Sequence, residues 1–162
     1  MSSVSLILGA IVVLACSGLP ACLLSSRSSA GQRATVLLMM AGSALGLVGI
    51  GFALGHTTPS SLFVPWRLPW GQFAVTIDSL RAVFLGPVFV VPALGSIYAL
   101  GYWKQMEHPE NGRRLGAFYG LLAGAMAMVV VASDAVLFLI AWELMAIAAY
   151  FAATAEDDNP DV

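Results

Sequence analysis

GLLAGAMAMVVVASDAVLFLIAWELMAIAAYFAAT, residues 120–154, holds two apolar runs that meet at Ser133-Asp134. Each run is close to the roughly 20 residues a helix needs to cross about 30 Å of hydrocarbon. So short a connection allows only a tight reversal, and the stretch predicts two membrane helices placed side by side. Two carboxylates interrupt it: Asp134 in the turn, and Glu143 in the middle of the second run.

The remainder of the chain repeats the pattern. Of its 162 residues 59% are hydrophobic and 10% charged, whereas a soluble domain carries roughly a quarter charged residues. Such a composition cannot clothe a water-facing surface, and the net charge of −2 gives no sign of nucleic-acid binding. Five runs are long enough to span, at about 4–24, 34–55, 82–103, 115–132 and 135–153. The expected fold is an all-α polytopic bundle, a single membrane domain over 1–162, closed by an acidic tail at 154–162. The stretch before the first run has no Lys or Arg, so this run reads as a retained span and not as an export signal. Cys16 and Cys22 lie six residues apart in it, fit no metal motif, and are expected to be buried packing residues.

Between the second and third spans lies SSLFVPWRLPWGQFAVTID, residues 60–78. Pro59, Pro65 and Pro69 break helix, and the alternation Phe73, Val75, Ile77 predicts a brief hairpin or strand. Trp66, Trp70 and Trp103 suit the headgroup level. Basic residues set the orientation: Arg27, Arg33, Lys104, Arg113 and Arg114 fall on one side of a five-span alternation, Arg67 and Arg81 on the other. Since cytoplasmic loops collect Lys and Arg, the N-terminus is expected outside, the hairpin extracytoplasmic and the tail cytoplasmic. Gly116, Gly120 and Gly124, with Gly42 and Gly46, are spaced for close helix approach. Pro87 and Pro92 predict a kink in the third span.

No nucleophile–base pair, phosphate loop or His/Cys cluster is present, so neither catalysis, a metal nor a cofactor is expected of this chain. His56 and His108 fall in loops on opposite sides. Asp78 and Asp134 each precede a span and are expected to cap a helix N-terminus. Glu143 differs from both. Nine residues beyond Asp134, at 1.5 Å each, place it roughly 13–14 Å deep. A carboxylate there costs on the order of 2.5–3.5 kcal/mol, judged by insertion scales for Asp. Two readings follow, an interhelical hydrogen bond or a proton-path group. Ala146, Ile147 and Tyr150 share its stripe, which is expected to face the bundle interior, with Tyr150 a secondary path candidate. Trp142, Ala146, Ala149 and Ala153 form an overlapping stripe suited to close packing. No Lys or Arg of the sequence lies at this depth, so a compensating cation has to come from another chain.

DSLRAVFLGPVFVVPALGSIYALGYW (78–103) and residues 120–154 together resemble the start of the antiporter-like membrane subunits of complex I and its relatives. The branch it most resembles is the large antiporter-like subunit of hydrogenase-4 and formate-hydrogenlyase-type membrane-bound hydrogenases. The Asp-Ser-Leu opening, the Gly-Tyr that ends the third span, the Ser-Asp turn and the Trp-Glu-Leu of the fifth carry the likeness in order. The resemblance implies that Glu143 is the fifth-helix glutamate, which in such subunits pairs with a lysine on a broken seventh helix during redox-driven proton or sodium translocation. It implies a bacterial or archaeal inner-membrane location, with respiratory or hydrogenase subunits as partners. One of these would supply the later helices and the lysine, which this sequence lacks. A split gene, a shortened relative and a truncated coding sequence all fit that shortness. A non-conducting structural or assembly subunit is the alternative function, and a small transporter completed by homo-oligomerisation is a third.

Overall fold

Apolar runs in lipid satisfy their backbone groups only by coiling into helices or closing into barrels, and this chain coils. The computed structural model describes residues 2–24, 29–55, 58–66, 71–102 and 111–155. In chain order the elements are α1 (Ser3–Cys16), α2 (Leu19–Leu23), α3 (Ala30–Gly55), β1 (Ser60–Pro65), β2 (Gln72–Ile77), α4 (Ser79–Tyr102), α5 (Asn111–Val131) and α6 (Ala135–Ala153). Five helical stretches among the described residues are long and apolar enough to cross a membrane, the first combining α1 and α2. The chain is thus a polytopic helical bundle with one small sheet. Arg27, Arg67, Lys104, Trp70, Trp103, Pro69, both histidines and tail residues 156–162 lie outside the described residues.

Helices α1, α3, α4 and α5 form a ring in which α1 and α4 each pack on both α3 and α5. Its centre is dry and well filled: Ile7, Leu14, Met39, Leu85, Phe89 and Val131 are fully buried. Small residues set the spacing of the ring, because lipid tails compete for large apolar side chains but not for close backbone contact. A Cβ at Gly46 would sit 2.6 Å from the Phe89 ring, and one at Gly124 would sit 2.8 Å from Ala15 Cβ and 3.0 Å from its backbone nitrogen. The α5 stripe therefore marks the contact with the first span, while on α3 Gly42 faces α1 and Gly46 faces α4. Helix α4 runs without interruption through Pro87 and Pro92. Tyr119 of α5 donates its hydroxyl proton to the Pro92 carbonyl at 3.3 Å.

The first span departs from the single helix expected of it. It breaks at Ser17-Gly18, where the buried Ser17 hydroxyl donates to Leu14 O at 2.7 Å. Pro20, at the start of α2, has no N–H to continue the ladder, and Gly18 lies against the α5 backbone at Gly116 and Ala117. The cysteines are also not where the sequence placed them, since Cys16 and Cys22 are both exposed. The buried stripe of α1 runs through Val4, Ile7, Ile11 and Leu14, and Cys16 falls off it.

Strands β1 and β2 pair antiparallel from Ser60↔Ile77 to Pro65↔Gln72. Strand β2 is the inner one, with Ala74, Val75 and Ile77 buried, and β1 is exposed over nearly its whole length. Trp66 packs a tilted ring on Phe73 at 6.3 Å. The hairpin is tied to the α5–α6 turn by a Val75↔Ala132 bridge and by Ser133 N–H donating to Ala74 O at 2.8 Å.

Helix α6 stands outside the ring. It packs on α5 and touches β2, and it buries Leu137, Ala141 and Ala148. The side facing away from α5 exposes Leu139, Trp142, Ile147 and Tyr150.

Candidate functional site

The turn before α6 is built by Asp134, whose Oδ1 accepts from Val136 N at 2.9 Å and from Leu137 N at 3.2 Å. These amides are among the donors that a helix start leaves without intrahelical partners. Replacing Asp134 with Ala should cost about 1 kcal/mol, a typical loss for an N-cap. Thermal unfolding in detergent checks this, and an unchanged midpoint would deny the cap any stabilising part.

Fixed in this way, α6 carries Glu143 as the ninth of its 19 residues, at mid-span. The side chain is exposed on the open face of the helix. Among the described residues it has no salt bridge, hydrogen bond or other polar partner. The interior placement expected for its stripe is therefore corrected: Ala146, Ile147 and Tyr150 are exposed as well. Of the second stripe, Trp142, Ala146 and Ala153 are exposed and Ala149 is half-buried. The physical reason is that α6 packs mainly on α5 among the described elements, so little more than the side toward α5 is covered. Tyr150 does not bond Glu143, since seven residues of helical rise, about 10 Å, separate them. Its ring instead meets Phe151 edge-on at 5.4 Å. Phe151 stacks on Phe118 at 4.7 Å and lies under the Arg114 guanidinium at 5.3 Å.

At the hairpin end, Asp78 Oδ1 accepts from Arg81 N at 2.8 Å, which closes the first turn of α4. By sequence, Arg81 is one of the charges that set orientation. Its guanidinium in fact joins three elements, with Nη1 donating to Thr76 O at 2.8 Å, Val131 O at 3.3 Å and Ser133 Oγ at 2.6 Å. Its Nε lies 3.8 Å from Asp78 Oδ2. A single Arg after a strand-like segment gives no local signal of such a role, because the acceptors are backbone carbonyls 5 and 50 residues away in sequence. Among the described residues no group of three or more His, Cys, Asp or Glu could hold a metal ion.

No protein-family model matches the chain. It is similar to uncharacterized proteins of two Mycobacterium tuberculosis strains, 34% identical over 122 residues, covering 74% of this chain and 19% of each relative. It is also similar to NADH-ubiquinone oxidoreductase chain 5 of Neurospora crassa, 29% identical over 86 residues, 52% of this chain and 11% of that protein. A probable intron-encoded endonuclease 4 of the same organism matches at the same identity and length, over 14% of its own sequence. The chain thus spans about a fifth of the length of the mycobacterial relatives and less of the fungal ones. The five apolar helices and the likeness to the fungal oxidoreductase subunit agree on a membrane subunit.

Proposed function

We propose that the chain forms the first five helices of an antiporter-like module in a complex I-like respiratory assembly, with Glu143 on the path of redox-coupled proton or sodium translocation. The observation that carries this reading is a mid-span carboxylate on an uncovered helix face. An ionisable group at that depth is costly, and the arrangement that relieves the cost is cover by further helices that bring a cation to it. The uncovered side of α6 has room for such helices. The likeness to a fungal NADH-ubiquinone oxidoreductase chain supports the choice of assembly. A hydrogenase-type branch rests on the sequence resemblance alone. In this reading the N-terminus and hairpin are extracytoplasmic, the tail is cytoplasmic, the membrane is a bacterial or archaeal inner membrane, and redox cofactors belong to partner subunits.

The test is Glu143→Gln in the assembled complex, read as ion pumping beside electron transfer. Pumping should fall at least tenfold with the complex intact, and undiminished pumping removes Glu143 from the path. The purified chain alone should pass no ions in liposomes. The second reading, a structural or assembly subunit, draws on the same open face. It predicts that Gln preserves transport, whereas Glu143→Leu weakens assembly by leaving a buried partner without its hydrogen bond.

A further inference from the structure

Two cavities meet at Tyr119 and lie end to end along α5. The first, of about 290 Å³, is walled by α2, α3, α4 and α5, with Gln32, Thr35, Ser96, Ala99, Gly116 and Tyr119 in its lining. The second, of about 250 Å³, continues along the α4–α5 seam past Val91, Pro92, Leu122, Ala123 and Met126. From Gly112 to Met126 the helical rise is about 21 Å. One leaflet of hydrocarbon is about 15 Å deep, half of a roughly 30 Å core. The groove therefore has the length of one lipid tail together with its glycerol region.

The lining is mostly apolar, with Gln32, Thr35, Ser96 and Tyr119 as its polar side chains. Ser96 Oγ already donates to Ala93 O at 2.7 Å, and the Tyr119 hydroxyl to Pro92 O at 3.3 Å. Thr35 is 93% buried, its relative exposure being 7%, and its Oγ1 has no partner among the described residues. An unpartnered buried hydroxyl costs free energy until an acceptor reaches it, and one ester carbonyl is such an acceptor. At the same end of the bundle, Arg113 Nη2 donates to Leu24 O at 2.9 Å, while its buried Nε has no partner among the described residues. Arg33 is exposed at that end too. A phosphate at this end would meet the positive charge of Arg113 and Arg33, which an apolar helix laid in the groove would not.

We infer that this groove is a binding site for an anionic phospholipid. One acyl chain lies along the α4–α5 seam past Tyr119, an ester carbonyl accepts from Thr35 Oγ1, and the phosphate sits at Arg113. No residue of α6, the helix that carries Glu143, lines either cavity, and the site does not depend on the ion-path reading.

The test reconstitutes the full chain in nanodiscs of phosphatidylglycerol or phosphatidylcholine with the same tails, and counts retained lipid after detergent exchange by native mass spectrometry. Phosphatidylglycerol should be retained at one per chain and at least tenfold more tightly than phosphatidylcholine. Arg113→Gln should abolish that preference. Ala99→Phe, which fills the first cavity, should lower retention of both lipids, with circular dichroism confirming that each variant is folded. Glycerol phosphate, which has the head without the tails, should not compete. Equal retention of the two lipids, competition by glycerol phosphate, unchanged retention in Ala99→Phe, or a dimer that seals the seam without lipid would each overturn the assignment.

Discussion

Gly124→Leu should unfold the chain or lower its stability by about 3 kcal/mol, the upper part of the usual range for overpacking. The reason lies in what a side chain there would strike. The Cβ position is 2.8 Å from Ala15 Cβ, 3.0 Å from Ala15 N and 3.1 Å from Ala15 Cα, so the obstacle is mostly α1 backbone and not a rotatable group. Relief would require α1 and α5 to separate, and the contacts of Ile7, Leu14 and Val131 in the ring would open with them. Even Gly124→Ala should cost 1–3 kcal/mol. The matched control is Gly51→Ala, where nothing lies within 4 Å of the added carbon. That change should be neutral or stabilising by up to about 1 kcal/mol, the difference in helix propensity between the two residues. Unfolding in mixed micelles measures all three. If Gly124→Leu and Gly51→Ala behave alike, close backbone approach is not what holds α1 to α5.

The same comparison shows which features were legible in the sequence. Run length announces a membrane helix whatever it packs against, so five spans and their order could be read directly. The prolines and the Phe73, Val75, Ile77 alternation announced the hairpin, because both are local backbone facts. The break in the first span has a local signal, since Gly18 and Pro20 stand two residues apart inside the apolar run. The facing of α6 had none. A helix apolar all round, with a single carboxylate, gives periodicity nothing to mark, and which side is covered depends on neighbours that sequence does not place. Glu143 could therefore be singled out by chemistry and depth, while its interior placement could not be read and came out the other way. The same lack of contrast hid the outward placement of both cysteines. Arg113 likewise reads from sequence as a loop charge, whereas α5 begins at Asn111 and the Arg113 Nε is buried.

Arg81→Met should loosen the hairpin end of the bundle by about 2–3 kcal/mol, and the partition of that loss tells what the residue does. Met keeps an apolar stem and removes the guanidinium. Three acceptors then lose their donor: Thr76 O at the end of β2, Val131 O at the end of α5, and Ser133 Oγ in the turn before α6. A hydrogen bond from a charged group is worth about 1.5–3 kcal/mol, and carbonyls left without a partner add to the loss. The ion pair with Asp78 is the lesser part. It is 3.8 Å long, with both side chains 28% and 39% exposed, and pairs of that kind contribute about 0–1 kcal/mol. Asp78→Asn retains an Oδ1 to accept from Arg81 N, so it should cost under 1 kcal/mol. Arg81→Lys should recover only part of the loss, because the shorter Lys stem brings its ammonium short of where Nη1 meets the three acceptors and has no Nε beside Asp78. Hydrogen exchange resolves the question by place. In Arg81→Met the Ser133 amide, which donates to Ala74 O, and the β1–β2 amides should lose protection together, while amides in the middle of α3 stay unchanged. Loss confined to the first turn of α4 would mean that Arg81 serves only its own helix. Coordinated loss across the hairpin and the α5–α6 turn means that one guanidinium fixes where α6 starts, and hence the depth at which Glu143 lies.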